Sequence, residues 1–439
     1  MFNLPTVRPF QIVLYAIFIV LALAAVFLLI NYERPGSTNN NPYGRSVVVW
    51  GSFPYDVVNE VFDDITDQDS NFQVVEYVSI PAGRLGSEFV NALAEGRAPD
   101  LVMLPHTELV NQRSKLLPIP YATDGFSERN LRNQYIDGAD IFALQDGVYG
   151  VPYLVDPLVM YWNRDLFANA AFAQPPQTWE QLVGSVVNAL TIRDNSRNII
   201  QSAIAFGEYT NIRNAMPIIS MLIMQAGSQL VEDTERGYFV ALNEGIEGSR
   251  PPMEASVQFF TEFASVSNPL YSWNRAREQD RLAFIAGDLA LYFGFASEGP
   301  ELVERNPNLN FDMTIPPQGA SATIRRTYGT FYSLVVPRGS TNPQGSLAVA
   351  RTLASPQNSL IMALATNHAP VSRTALQADV TDPFVQVGFQ AALFARGWLS
   401  PSPQATTAAL ETMVTEVNSN RARVSSAVSD AVSRMRMAY

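Results

Sequence analysis

The chain has 439 residues, 47% of them hydrophobic and 16% charged, with 29 basic against 41 acidic side chains and a net charge of -12. That length exceeds what one hydrophobic core usually organises, so about two folded domains are expected, and the composition is that of a globular protein, not a disordered one. The acidic balance, with Lys115 as the single lysine, argues against nucleic acid as a partner, and the absence of cysteine removes disulfides, thiolate catalysis and Cys-ligated zinc together.

Between Arg8 and Glu33 no charged residue occurs, and Ile12 to Ile30 is almost wholly apolar. As a helix this run covers a bilayer core of about 30 Å. A cleaved signal peptide has a shorter apolar core followed by small residues, whereas this one ends in LLINYERPG, so residues 1–33 read as an uncleaved single-pass membrane anchor in preference to a cleaved leader. Residues 34–44 follow with the Gly, Ser, Asn and Pro content of a flexible linker.

The globular part opens on Ser46 to Trp50, a β-branched run suited to a buried parallel strand, followed by Val57, Val58, Val61, Phe62 and Ile65 at helical spacing. Phe72 to Ile80 reads as a second strand, Leu85, Phe89, Val90 and Leu93 as a helix stopped by Gly96, and Leu101 to Leu104 as a third strand. Strand and helix in alternation predict an α/β layer with a mostly parallel sheet, whose ligands collect beyond the carboxyl ends of the strands. Gly147 to Phe167 (GVYGVPYLVDPLVMYWNRDLF) is an apolar strand with one acidic residue, Asp156, at its middle. A charge in a buried strand demands a partner. Thr178 and Gln181 then stand as a capping box before Leu182, Val186 and Val187. Pro217 opens an almost wholly apolar helix that Gly227 ends, and Ala255 to Val266 gives another. Tyr292 and Phe295 alternate with Phe293 on a later aromatic strand, and Val424, Val428, Val432 and Met435 share one face of a last helix.

The order of these landmarks resembles the family 1 extracellular solute-binding proteins, the maltose-binding-protein-like receptors of ABC importers: PDLVMLP, YGVPYLVDPLVMYWNRDLF, PPQTWEQL, FIAGDLALYFGF, NPNLNFDMTIPPQG and a late HAPVSR. The resemblance covers nearly everything after the linker. It implies an α/β, two-lobed periplasmic-binding-protein-like fold with crossing hinge strands, preceded by one N-terminal transmembrane helix. Residues 45–154 and 291–338 would form one lobe and 155–290 and 339–439 the other. It further implies a cell-membrane, single-pass protein whose globular part is extracytoplasmic and which, as a monomer, captures a sugar or oligosaccharide for ABC permease subunits.

Catalytic constellations fail on spacing. His106 and His368 are the two histidines, in no metal-ligand spacing, and each reads as a surface or loop residue. Asp67, Asp69 and Asn71 alternate as calcium ligands should, yet Phe72 replaces the turn glycine and Val78 the terminal glutamate. No phosphate-cradling glycine loop and no Gly-x-Ser-x-Gly elbow with a histidine partner occurs, so no cofactor is expected and the chain reads as a binding protein, not an enzyme. A surface glycan hydrolase and a receptor or adhesin without a permease are the rival readings. The first needs a carboxylate dyad in the cleft.

Recognition of sugars uses flat rings for C-H faces and polar groups for hydroxyls. Trp50, Ser52 and Phe53 leave the first strand where the resemblance places a ligand loop, and Trp50 reads equally as a cap on the core. Arg84 reads first as a solvated arginine at a helix start and second as a ligand contact. His106 follows a strand end. Asp156, by the resemblance an acidic hinge residue, reads equally as a ligand contact and as an acceptor of hinge N-H groups beside Pro157. Tyr153, Tyr209, Tyr292, Phe295, Tyr328 and Tyr332 complete the candidate ligand-binding set, with one alternating face of each aromatic strand toward the cleft and the other toward the core. Trp179 and Trp398 are assigned to packing.

Overall fold

The computed structural model describes residues 41–44, 46–196, 198–245 and 250–439. The anchor expected over 1–33 and most of the linker lie outside these residues. Among the described residues no helix is long and apolar enough to cross a membrane.

Strand β1 (Val47–Gly51) pairs in parallel with β2 (Val75–Ser79) and with β3 (Leu101–Pro105), and helices α1 (Tyr55–Gln68) and α2 (Ala82–Ala94) connect them. The β-branched sequence of β1 buries Val47 and Val49 completely, and α1 turns Val58, Val61, Phe62 and Ile65 onto the same core, the positions that helical spacing selects. The expected strand over Phe72 to Ile80 is shorter. Asp69 accepts the Asn71 backbone N-H at 3.0 Å and winds Ser70–Val74 into a 3-10 turn, which drives Phe72 between Tyr43 and Phe62 at ring distances of 5.5 and 5.3 Å.

The organising element is β4 (Val151–Asn163), thirteen residues long and buried throughout. Its first part, Val151 to Pro157, pairs antiparallel with β10 (Thr327–Val335), and its second, Leu158 to Trp162, pairs antiparallel with β8 (Leu289–Phe295). The change of partner falls between Pro157 and Leu158, one residue beyond Asp156. The sheet runs β2-β1-β3-β10-β4-β8-β5, with β5 spanning Ile199–Ile204, and β9 (Phe311–Thr314) adds to the far end of β4. One strand therefore belongs to two lobes. Gly150 begins it at φ +90°, where a side chain would stand 2.5 Å from the Leu334 carbonyl oxygen, so the entry to β4 requires glycine.

Two packing relations differ from the sequence expectation. Helices α4 (Pro343–Leu353) and α5 (Pro356–Thr366), expected with the second lobe, bury Val349, Leu353 and Met362 in the cluster that holds Val47, Val49 and Phe62. Their amphipathic pattern does not say which sheet they cover. Conversely β8, expected to lead the chain back into the first lobe, pairs with β4 and β5 among the described residues, and after Phe295 a turn and β9 stay on that side. The chain crosses along β4, returns along β10, and leaves again after Val371, whose carbonyl still accepts the Ile136 N-H at 3.0 Å.

The second lobe is helical around β5 and β8. Helix α3 (Ala215–Gln225) is buried from Pro217 to Met224, as its wholly apolar sequence demands, and Gly227 ends it at φ +97°. A hairpin of β6 (Val231–Thr234) and β7 (Gly237–Val240) projects from it, and α6 (Pro403–Asn418) and α7 (Val424–Met437) close the lobe with Val428, Val432 and Met435 inward. Thr178 caps its helix as expected, accepting the Gln181 N-H at 3.2 Å, while Gln181 reaches back to the Gln177 N-H.

Candidate functional site

Asp156 sits where β4 changes partner, 6% exposed. Its Oδ2 accepts the Ser297 hydroxyl at 2.5 Å and its Oδ1 the Ser297 backbone N-H at 3.1 Å. Ser297 belongs to the turn that follows β8. That turn is fixed by Glu298, which accepts the Phe295 N-H at 2.9 Å, the Tyr292 hydroxyl at 2.6 Å and the Asn214 amide at 3.0 Å. The acid of the crossing strand is thus tied to the second lobe by two hydrogen bonds.

From the first lobe His368 approaches the same carboxylate, its Nε2 3.7 Å from Asp156 Oδ2 with both side chains 8% exposed. The imidazole is placed by the end of α5, where Asn367 takes a left-handed turn at φ +57°. Its Nδ1 lies 2.7 Å from the Thr366 carbonyl oxygen, which can only accept, so Nδ1 carries a hydrogen and Nε2 is the atom facing the acid. Burial raises the Asp156 carboxyl above the ordinary carboxylate range, and the His368 charge and the Ser297 hydrogen bonds oppose that rise.

Rings enclose this node. Phe53 meets His368 edge to face at 5.1 Å and Tyr332 at 5.2 Å, and Tyr332 lies 5.5 Å from His368. A cavity of about 400 Å³ opens beside His368 between Asn367 of the first lobe and Ala296, Pro300 and Phe384 across from it. This volume falls in the range of small-ligand pockets.

Phe53, Asp156 and Tyr332 of the sequence-derived set therefore converge. Phe295 and Tyr328 form a neighbouring contact at 6.2 Å that leads to His106, whose Nε2 is 3.4 Å from the Tyr328 hydroxyl. His106 is fully buried and accepts the Phe331 N-H through Nδ1 at 3.1 Å, which corrects its reading as a surface or loop residue. Burial depresses its pKa to about 3. His368, by contrast, lies in the loop between α5 and Ala369 and is half-buried, in keeping with its reading as a loop residue. Tyr292 faces the core, stacked on Tyr161 at 6.0 Å, and Phe293 on the other face of the strand packs on Phe206 at 5.1 Å, so both faces of β8 are buried and the expected alternation of cleft and core fails there. Tyr153 is buried in the first-lobe core and Tyr209 in the second. Ser52 and Trp50 are half-buried at the end of β1, and Arg84 is exposed and paired with Glu88 at 3.9 Å. Trp179 and Trp398 pack, each with its indole N-H bonded, to Gln225 at 2.7 Å and to Ser220 at 3.1 Å.

His368 and Ser297 were missed in the candidate set. The HAPVSR motif contains His368, but only the crossing register shows that it reaches Asp156.

The family profile of the bacterial extracellular solute-binding proteins matches residues 60–386. No curated protein matches the sequence. Among solved structures, a cyclo/maltodextrin-binding protein complexed with maltotetraose is 16% identical, with a TM-score of 0.71 over 90% of this chain and 97% of that one. The GacH receptor of Streptomyces glaucescens, solved unliganded and with acarbose, is 15% identical, with a TM-score of 0.67 over 90% and 98%. A solute-binding protein from Thermotoga lettingae bound with α-D-tagatose is 17% identical, with a TM-score of 0.67 over 90% and 100%. At these identities the likeness is one of fold.

Proposed function

The chain belongs to the bacterial extracellular solute-binding proteins, and from that premise we propose that it captures a sugar or oligosaccharide between its two lobes and hands it to an ABC importer. The observation that carries the reading is the Asp156 node: one carboxylate on the shared strand, bonded to Ser297 of one lobe, facing His368 of the other, and ringed by Phe53 and Tyr332. A carboxylate accepts hydroxyl hydrogens and flat rings cover C-H faces, which is the chemistry a sugar presents. A solute touching both lobes at the strand that joins them favours the closed arrangement.

In this reading the apolar run from Ile12 to Ile30 holds the protein at the outer face of the membrane. Tethering raises its effective concentration at a permease in the same bilayer. Calorimetry of the full-length chain against maltotriose, mannotriose and tagatose tests the capture step. Saturable binding that weakens in Asp156→Asn supports it; no binding of any carbohydrate across a broad panel removes it.

A further inference from the structure

A second cavity, of about 560 Å³, shares no lining residue with the one beside His368 and is walled by Tyr121, Leu131, Tyr135, Asp140, Arg326 and Arg396. It continues through Asp140, Arg326 and Arg396 into a space of about 1000 Å³ that reaches Asp233 and Trp398. Most charges at its rim are matched. Asp137 takes Arg396 at 3.0 Å and Arg373 at 2.6 Å, and Glu128 takes Arg132 at 3.3 Å.

Two are left over. The Arg326 guanidinium bonds only the neighbouring Arg325 carbonyl, at 3.1 Å, among the described residues, and the Asp140 carboxylate has no hydrogen-bond partner among them. Burial followed by the nearby Arg396 charge lowers the pKa of the half-buried Arg326; desolvation raises that of Asp140 while the Arg396 charge opposes the rise, and the Asp140 side chain is exposed, so its carboxylate is open to a ligand in the cavity. The two feel one another without forming an ion pair, and tyrosine and leucine side chains line the same cavity.

We propose that this cavity binds a small zwitterion of the α-amino acid kind, its carboxylate on Arg326, its ammonium on Asp140 and its apolar side chain against Tyr121, Leu131 and Tyr135. A guanidinium fork matches a carboxylate in two parallel hydrogen bonds, and a free carboxylate is the natural acceptor for an ammonium. A molecule bearing both charges satisfies both groups at once, which a neutral sugar or a simple anion does not. The ligand would also abut the start of β10, since Arg326 precedes Thr327 directly. The inference stands apart from the Asp156 node.

Calorimetry of the full-length chain with L-leucine and L-phenylalanine tests it, with 4-methylpentanoate and isopentylamine as analogues that each keep one charge. Saturable binding of at least one amino acid is expected, about tenfold weaker or worse for the matching one-charge analogues and in each of Arg326→Gln and Asp140→Asn, and unchanged in Asp156→Asn. The two variants lie on different segments, and thermal unfolding at the wild-type temperature identifies a local loss; if one misfolds, the other decides. The proposal is overturned if neither amino acid binds the wild type with Kd below about 1 mM, if the analogues bind as well as the amino acid, or if a folded variant binds unchanged.

Discussion

Arg113 of the first lobe and Asp233 of the β6–β7 hairpin of the second meet across the two halves, Nη1 to Oδ1 at 3.0 Å. The guanidinium is also held by Asp146 at 2.7 Å and the Tyr238 hydroxyl at 2.8 Å, and Asp233 accepts the Gln145 N-H at 3.0 Å. With side chains 23% and 9% exposed, this pair lies between the surface and buried regimes. Arg113→Gln and Asp233→Asn are each expected to cost about 1 to 3 kcal/mol of stability, less together than their sum. Denaturant unfolding of the single and double variants measures both the cost and the coupling.

His106 gives a pH dependence with a definite sign. Its folded pKa is depressed to about 3 by burial, while an unfolded histidine titrates near about 6.5. Between these values the unfolded chain binds the extra proton, so stability is present above the upper value and is lost as pH falls toward the lower one. At pH 5 the loss is about 2 kcal/mol relative to pH 8. In His106→Gln this part of the slope between pH 5 and 8 should vanish, read as unfolding midpoints across that range.

Gly150→Ala should be among the costliest single-methyl additions in the chain. The residue combines φ +90° with a Leu334 carbonyl oxygen 2.5 Å from where Cβ would stand, on strand β10, which cannot retreat without breaking its ladder to β4. A loss of about 2 kcal/mol or more is expected from strain and displaced backbone together. Thermal denaturation checks it, with Gly184→Ala, where no atom of the described residues lies within 4 Å of the added Cβ, as the comparison.

What was legible in the sequence follows from range. The β-branched run at Val47 to Val49, the apolar helix from Pro217 and the acid inside Val151–Asn163 are local signals, and each led to the right element. The side on which α4 and α5 pack was not legible, because an amphipathic stripe names a buried face without naming its partner. The candidate site was half legible for the same reason. Asp156 announces itself as a charge in an apolar strand, whereas Ser297 and His368 are ordinary residues until 141 positions of chain fold Ser297 onto the acid and α5 delivers the imidazole from the other side.

Asp156 also separates binding from stability. Desolvation raises its folded pKa above the unfolded value, so the native chain binds more protons in the interval between the two and stability falls as pH rises through it. A charged carboxylate is therefore retained at a cost to the fold, and Asp156→Asn, which keeps a carbonyl oxygen able to accept the Ser297 N-H, should be at least as stable as wild type near pH 8 with a flatter profile below it. The same substitution removes a charge-assisted acceptor from the proposed sugar site and should weaken carbohydrate affinity by about 1 to 3 kcal/mol. Ser297→Ala should weaken it less, since the acid stays in place and loses one hydroxyl partner at 2.5 Å. Parallel calorimetry and unfolding on the two variants checks the pattern. Reduced stability with unchanged affinity in Asp156→Asn would make the residue a fastener of the hinge and take it out of the ligand site.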